Sequence, residues 1–288
     1  MTDTPDSGVV IDCAGTPLDL SQPQVMGILN ITPDSFSDGG QFLHSGGLDT
    51  DTLCRRAEAM AFAGARILDI GGESTRPGAE PVSEQEELDR VLGALAVLRS
   101  RVDAIYSIDT SSPTVMQQSA ALGAGMINDV RALSRPEAIA TVADLGLPVC
   151  LMHMRGDPAT MQQAPTYTDV VEEVRAFFQE RLRLCIDGGI EKGNILLDPG
   201  FGFGKSVGHN FELLRRLSDL AEEGLPLLVG LSRKSMIAGV IDRAVDKRMP
   251  ASVALALMAV YRGARIVRVH DVAETVDALA MWSTVEQR

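Results

Sequence analysis

Residues 104–113, AIYSIDTSSP, contain an apolar run that ends in a carboxylate and continues into a short Ser/Thr-rich segment. The run is too short for a helix and has the composition of a strand that is covered on both faces. Ser112 followed by Pro113 is typical of a helix start, because a side-chain oxygen caps the first turn and Pro lacks only an amide hydrogen that would have no partner there. The segment therefore predicts a strand, a polar loop and the first turn of a helix.

The same unit recurs along the chain. Apolar runs of similar length predict strands at 25–29, 66–70, 104–108, 125–128, 148–152, 194–197, 226–230 and 265–269. Repetition of this unit roughly eight times predicts an α/β fold, a single-domain (β/α)₈ TIM barrel, in which the loops after the strands gather at one rim. A doubly wound open sheet is the alternative, but such a sheet usually carries one glycine-rich phosphate loop after its first strand.

The helices between these strands have recognisable ends. Capping residues placed before a carboxylate or a proline predict helix starts at Ser83, Ser112, Ser134 and Asp271. Glycines shortly before the next strand predict helix stops at Gly64, Gly123, Gly146, Gly224 and Gly263.

The amino-terminal part of the chain has a different pattern. Residues 8–20 alternate apolar and polar side chains about Ala14 and Gly15, which predicts a β-hairpin that caps the bottom of the barrel. We interpret residues 1–7 as a flexible polar tail and residues 8–288 as one domain, because no linker or charge run divides the chain.

Composition and charge limit the classes of binding partner and the cellular compartment that we expect. A formal net charge of −13 argues against nucleic acid or an anionic membrane as a partner, since both require a basic face. The four cysteines have no metal-ligand or redox spacing and are expected to be buried free thiols. No apolar stretch has the length of a membrane span or a signal core, so we expect a cytoplasmic protein.

Polar residues follow the predicted strands, where a barrel places its active site. Two carboxylates and an amide, Asp109, Asn128 and Asp198, suit a ring that offers adjacent N–H and amino donors, such as a pterin or guanidine-like edge. Cations at the last two strands, Lys234 with Arg268 and His270, indicate an anion site. His153 lacks metal-ligand spacing and is interpreted as a hydrogen-bonding residue.

Three loops after the strands contain glycine. Residues 27–40 and 71–80 are long polar segments that we interpret as lids over a ligand. Residues 200–204, GFGFG, lack the spacing and the downstream acid of a dinucleotide loop. We expect these glycines to let the backbone approach a ligand, with Phe203 as an apolar wall.

The chain resembles the bacterial dihydropteroate synthases of the folate pathway from about Leu18 to its final helix. The matching segments are VMGILNITPDSFSDGG, GGESTRPGAE, SIDTS, INDV, LMHM, LLDPGFGFGK, GLSRKS and RVHDV. The resemblance implies a sulfonamide-target transferase that joins 4-aminobenzoate to a dihydropterin diphosphate with the help of Mg²⁺, and it implies a homodimer.

The resemblance also implies roles for individual residues. The pterin would be bound by Asp109, Asn128, Asp198 and Lys234. The diphosphate would be bound by Asn30, Arg76, Arg268 and His270, with Asn30 also a Mg²⁺ ligand. The aminobenzoate would be bordered by Thr75, Pro77, Phe203 and Ser235. Further substrate contacts are expected from Asp69 and Met152. The expected catalytic residues are Asp109, Asp198, Lys234, Arg268 and His270.

Two other functions fit part of this pattern. A pterin-binding methyltransferase that serves a corrinoid protein could share the Asp and Asn residues, but it has no use for the cations. A catalytically silent relative that acts as a binding module would not require the cations and Asn30 together. Diphosphate release with 4-aminobenzoate separates the synthase from both.

Overall fold

The computed structural model describes residues 9–32, 42–44, 47–74, 82–156, 161, 165–221 and 224–286. The predicted tail at residues 1–7 lies outside this part of the chain. Two short antiparallel pairs are formed by β1 (Val10–Cys13) with β2 (Thr16–Asp19) and by β4 (Leu43–His44) with β5 (Gly47–Leu48).

Eight parallel strands close into a barrel. They are β3 (Gln24–Asn30), β6 (Ile67–Gly71), β7 (Ile105–Asp109), β8 (Met126–Asp129), β9 (Val149–Met152), β10 (Ile195–Asp198), β11 (Leu227–Val229) and β12 (Ala264–Val269). Neighbours around the barrel follow chain order, and β12 pairs with β3 to complete the ring. Each predicted strand is present, and its ends differ from the prediction by one residue at most. The predicted TIM barrel is confirmed.

Helices surround the barrel. They are α1 (Thr50–Phe62), α2 (Glu84–Arg99), α3 (Pro113–Ala121), α4 (Ala138–Leu145), α5 (Val170–Asp187), α6 (Val207–Arg215), α7 (Leu217–Leu220), α8 (Ser235–Ala238), α9 (Met249–Tyr261) and α10 (Val272–Glu286). Among the described residues, no helix is both long and apolar enough to cross a membrane.

Most of the predicted helix ends are confirmed. The Ser83 side chain accepts a hydrogen bond from the Glu86 amide, and the Ser112 side chain accepts one from the Val115 amide. The predicted stop glycines all have positive φ, from 63° at Gly146 to 103° at Gly64. Only a residue without a Cβ adopts this conformation at little cost, which is why these positions end helices.

The predicted start at Ser134 is wrong. Helix α4 begins at Ala138, after Glu137 in the left-handed conformation, and no side chain caps it. The Asp129 carboxylate accepts hydrogen bonds from the amides of Arg131 and Leu133, at 2.8 Å and 2.7 Å. These bonds fold the chain into a tight turn directly after β8, so the helix begins later than the sequence pattern indicates.

The β1–β2 hairpin caps the amino end of the barrel, as predicted. Apolar side chains of the hairpin form one cluster with side chains from inside the barrel, and these are Ile11, Cys13, Leu18, Leu20, Met26, Ile67, Ile105, Met126, Cys150, Leu196, Leu228 and Ile266. A second, larger cluster fills the space between the strands and the helices. The carboxyl end of the barrel is therefore the end at which polar side chains gather.

The left-handed stop at the end of α4 gives a test of backbone strain. Gly146 has φ 63°, and a Cβ built there meets no atom within 4 Å. We expect Gly146→Ala to lower the free energy of unfolding by about 1 kcal/mol, because L-residues pay roughly that much in the left-handed region. Urea unfolding monitored by circular dichroism measures the change.

Gly193 is the matched control, because a Cβ there also meets no atom within 4 Å but its φ is not positive. Gly193→Ala should leave the unfolding free energy within about 0.5 kcal/mol of the parent value. Equal losses in the two variants would contradict an origin in backbone strain.

Candidate functional site

The carboxyl ends of the barrel strands form a mouth lined by polar side chains. The register places Asn30 of β3 beside Gly71 of β6, Gly71 beside Asp109 of β7, and Asp109 beside Asn128 of β8. Neighbours in register project to the same face of a sheet. Asn30, Asp109 and Asn128 therefore share one rim, as the sequence predicts.

Arg268 of β12 joins two acids inside this mouth. Its Nε atom lies 2.6 Å from Oδ2 of Asp69, and its Nη2 atom lies 3.0 Å from Oδ2 of Asp109. Asn128 donates from Nδ2 to the same Asp69 oxygen over 3.2 Å. Asp69, the third residue of β6, has no exposed surface. Asp69 is thus fully enclosed and holds Arg268 and Asn128 in place through a single carboxylate oxygen.

Burial dominates the electrostatics of the two acids nearest the opening. It raises the pKa of Asp109 to about 7, although the Arg268 guanidinium opposes the shift. It also raises the pKa of Asp198, and Lys234 opposes that shift. Because a desolvated carboxylate gains most from new N–H donors, both acids are suited to a nitrogen-rich ligand.

Lys234 reaches the mouth from the loop before α8. Its Nζ atom donates to the Phe201 carbonyl and lies 4.8 Å from the centroid of the Phe203 ring. Burial lowers the pKa of Lys234 to about 8, and Asp198 opposes the shift. Ser235, the next residue, is exposed at the first position of α8. A cation and an aromatic wall therefore stand together at one side of the opening.

His270 follows the last barrel strand and is oriented by Ser232. The Ser232 hydroxyl lies 2.9 Å from Nδ1 of His270 and accepts a hydrogen bond from the His270 backbone amide over 3.2 Å. Arg56 of α1 donates to the His270 carbonyl over 3.0 Å. These contacts hold a half-buried imidazole at the same rim as Arg268.

Two consecutive residues at the end of β9 have different surroundings. Met152 is buried and lies in register with Asp198, so it borders the same side of the mouth. The Nδ1 atom of His153 lies 2.8 Å from Nζ of Lys205, and the His153 ring packs edge-on against Phe177. The hydrogen-bonding role predicted for His153 is confirmed.

Some predicted site residues lie outside the described part of the chain. These are Thr75, Arg76, Pro77 and most of the loop after β3. The lid function of the two loops and the contacts assigned to these residues stay predictions.

The structure also brings to the mouth charged residues that the sequence patterns did not single out. Arg131 makes a two-point ion pair with Glu73, at 2.9 Å and 3.1 Å, next to Gly72 and the loop after β6. Arg233 pairs with Asp271 and has φ 58°, a left-handed conformation between Ser232 and Lys234. Lys205 is buried below the glycine-rich loop after β10.

The chain is similar to known proteins over most of its length. Residues 26–270 match the family model described as pterin binding enzyme. The chain is 53% identical to the dihydropteroate synthase of Haemophilus influenzae over 265 residues, which cover 92% of this chain and 94% of the relative. It is 52% identical to the Escherichia coli dihydropteroate synthase, with 92% of each chain covered.

Solved structures of dihydropteroate synthases are also similar to the chain. The chain matches Yersinia pestis dihydropteroate synthase in complex with a sulfonamide drug, with a TM-score of 0.92, 50% identity, and coverage of 97% of this chain and 100% of that one. It matches the Xanthomonas albilineans synthase in complex with 7,8-dihydropteroate, with a TM-score of 0.86, 46% identity, and coverage of 97% and 99%.

The low pKa of Lys234 leads to a stability prediction. Below pH 8 the lysine is charged in both the folded and the unfolded protein, and the folded state carries the full cost of the buried charge. Between pH 8 and 10.5 the folded state binds fewer protons, so this cost disappears as the pH rises. We expect Lys234→Met to raise the unfolding free energy of the ligand-free protein at pH 7 by about 1–3 kcal/mol, and the gain to shrink by pH 10.

Urea unfolding at pH 7 and pH 10 measures both values. Lys192 is exposed and far from the mouth, so Lys192→Met should show no such pH-dependent gain. A gain for Lys234→Met that is the same at both pH values would rule out the buried charge as its source.

Proposed function

Because the chain belongs to the pterin binding enzyme family and, within it, to the dihydropteroate synthases, we propose that its barrel mouth binds the dihydropterin ring and the attached diphosphate in one continuous site. The enzyme is a transferase that condenses 4-aminobenzoate with (7,8-dihydropterin-6-yl)methyl diphosphate to give 7,8-dihydropteroate and diphosphate. The contact that supports this proposal is that of Arg268 with both Asp69 and Asp109. Through that contact, the acids suited to the ring and the cation suited to the leaving group are adjacent.

We assign the ring to the acids and the amide of the mouth. Asp109, Asn128 and Asp198 lie on three strands of the closed barrel and offer acceptors for the N–H and amino groups of the pterin. Lys234, whose charge acts on Asp198, supplies a donor for a ring carbonyl or nitrogen. A site built from such groups rejects rings that leave them unpaired, because each unpaired buried group costs about 1–3 kcal/mol.

The diphosphate is assigned to the cations at the rim. Arg268 and His270 come from the end of β12, in the part of a barrel where phosphate is commonly bound. Arg76 is a further ligand in our proposal, although it lies outside the described residues. The net charge of −13 means that these local cations hold the anion against the overall field of the protein.

Mg²⁺ is the cofactor that we propose, with Asn30 as its protein ligand. A Cβ at Gly71 would lie 3.5 Å from Oδ1 of Asn30, so the absence of a side chain leaves space beside this oxygen. Among the described residues, no group of three His, Cys, Asp or Glu side chains could hold a metal ion. Mg²⁺ fits this donor set, because it commonly takes one or two protein oxygens and completes its shell with water and phosphate.

The mechanism that we propose is a dissociative substitution. The bond between the methylene carbon and the diphosphate oxygen breaks, its electron pair leaves with the diphosphate, and positive charge spreads into the electron-rich dihydropterin. Arg268 and His270 stabilise the departing anion, and Asp109 and Asp198 stabilise the cationic ring. Bound Mg²⁺ supplies additional charge neutralisation at the diphosphate.

The second half of the reaction requires less of the protein. The neutral amine of 4-aminobenzoate attacks the methylene carbon through its nitrogen lone pair, and the nitrogen, now positively charged, then loses a proton to solvent or to the diphosphate. Phe203 and Ser235 border the aminobenzoate in this proposal, together with Thr75 and Pro77. Exclusion of water from the mouth prevents hydrolysis of the cation.

We also propose a cytoplasmic homodimer. Helices α9 and α10 pack together and expose large apolar side chains, among them Met258 and Tyr261 on α9 and Met281 and Val285 on α10. An exposed apolar surface of this kind is typical of a subunit interface. All four cysteines are free thiols, which fits a reducing compartment.

Diphosphate release tests the function and the role of Asp109 together. The parent enzyme should release diphosphate only when the pterin diphosphate and 4-aminobenzoate are both present. Asp109→Asn should lower kcat/KM by about 100- to 1,000-fold, because it removes a charge that stabilises the transition state in a closed site. A coupled diphosphate assay measures both.

Asp103→Asn is the matched control, since Asp103 is exposed before β7 and should leave the rate unchanged. Parent-like turnover of Asp109→Asn would remove Asp109 from the mechanism. Methyl transfer without diphosphate release would instead favour the methyltransferase function.

The assignment of Asn30 is tested by titrating the metal. Asn30→Ala should raise the Mg²⁺ concentration that gives half-maximal diphosphate release by about tenfold or more, because one of few protein ligands is lost. Asn194→Ala, at the opposite end of the barrel, should leave this concentration unchanged. An unaltered Mg²⁺ dependence in Asn30→Ala would exclude Asn30 as a ligand.

A further inference from the structure

Residues 199–204, PGFGFG, form the loop between β10 and α6, which we call the glycine loop. Its three glycines have positive φ, at 67°, 81° and 63°. A Cβ at Gly200 would lie 1.9 Å from the carbonyl oxygen of His153, so the loop is in direct contact with the end of β9. A loop with three glycines has high conformational freedom in the unfolded chain and needs contacts that fix it.

Lys205, the residue after the glycine loop, supplies such contacts. Its side chain folds back below the loop and is 2% exposed. The Nζ atom lies 2.9 Å from the Gly200 carbonyl oxygen, 3.1 Å from that of Phe203, 3.4 Å from that of His153 and 2.8 Å from Nδ1 of His153, so its hydrogens are shared among four acceptors. One amino group therefore ties both ends of the loop to the neighbouring strand.

These partners of Lys205 are uncharged groups. Burial lowers the pKa of Lys205 well below its ordinary value, although Asp198 opposes the shift. Burial and the neighbouring Lys205 lower the pKa of His153 to about 2, so the imidazole is neutral and its Nδ1 can accept a hydrogen bond. Burial of a cation among neutral partners costs stability, and such a cost is common where a functional arrangement requires it.

The glycine loop connects Lys205 to the mouth. The Phe201 carbonyl accepts a hydrogen bond from Lys234, and the Phe203 ring lies 4.8 Å from the same ammonium. With only 2% of its surface exposed, Lys205 itself is out of reach of a substrate. Any effect of Lys205 on the reaction is therefore indirect, either through the loop or through its electrostatic interaction with Asp198.

We propose that Lys205 is a positioning residue that fixes the glycine loop through the carbonyls of Gly200, Phe203 and His153 and thereby sets the affinity for 4-aminobenzoate. This proposal rests on the proposed function, in which Phe203 borders the aminobenzoate. Of the proposed pterin contacts, Asp109 and Asn128 lie on other strands, while Asp198 and Lys234 are hydrogen-bonded to the loop. The affinity for the pterin therefore depends on the loop through fewer of its contacts and is expected to change less than the affinity for 4-aminobenzoate.

Lys205→Met tests the proposal, because Met is unbranched and of similar length but donates no hydrogen bond. We expect the KM for 4-aminobenzoate to rise about tenfold or more, while kcat and the KM for the pterin diphosphate change by less than about threefold. Lys205→Gln retains two amide hydrogens that can bond to the three carbonyls. Its KM for 4-aminobenzoate should therefore lie between that of the parent enzyme and that of Lys205→Met. Steady-state diphosphate release measures all three constants.

Tyr106→Phe is the control for a general loss of stability. The Tyr106 hydroxyl is buried and donates to the Val102 carbonyl over 2.6 Å, away from the mouth. This variant should be less stable than the parent but should keep its KM values.

Two results would overturn the proposal. One is a KM for 4-aminobenzoate in Lys205→Met within twofold of the parent value. The other is a fall in kcat of about tenfold with an unchanged KM for 4-aminobenzoate. If Lys205→Met does not fold, a parent-like KM in Lys205→Gln overturns the proposal in the same way. Turnover by the parent enzyme is measured first, so a failure of the proposed function is recognised separately from a failure of this inference.

Discussion

The ion pairs of Arg268 with Asp69 and Asp109 determine how the other polar groups at the mouth are arranged. A guanidinium inside a barrel is tolerated only when its charge is compensated and its N–H groups have partners. Burial alone would lower the pKa of Arg268, but Asp69 and Asp109 raise it above its ordinary value, so the cation is permanent. Asp69 is in turn supported by Asn128. In the function that we propose, ring recognition and anion recognition are therefore coupled, because a ligand that engages Asp109 would change the environment of Arg268.

Local patterns in the sequence predict the fold because each β/α unit carries its own signals. The apolar runs give the strands, and glycines such as Gly123 and Gly263 mark the ends of helices through a backbone conformation that other residues avoid. The polar residue after a strand predicts the mouth, because parallel strands in one barrel all place their carboxyl ends on the same side. Asp109, Asn128 and Asp198 follow from this rule alone.

Contacts between distant parts of the chain are what the sequence patterns could not supply. The start of α4 is displaced because the Asp129 carboxylate accepts hydrogen bonds from the amides of Arg131 and Leu133. These bonds depend on the position of β8 in the barrel. The buried position of Lys205 is equally hidden, since a lysine after a glycine-rich loop normally suggests a solvent-exposed or phosphate-binding cation. The pairing of Arg233 with Asp271 joins residues on two different strand ends and appears only when both are placed in space.

The β1–β2 hairpin has a consequence for the opposite end of the barrel. Its apolar side chains close the floor, so water cannot enter the barrel from below and screen Asp69 or Arg268. The Cys150 thiol in this interior shows the effect: burial raises its pKa well above the ordinary value, and the field of Asp198 and Asp69 raises it further. With a medium of low permittivity beneath the charges and solvent only above them, their electric field is directed out through the opening, along the path by which an ionic substrate arrives.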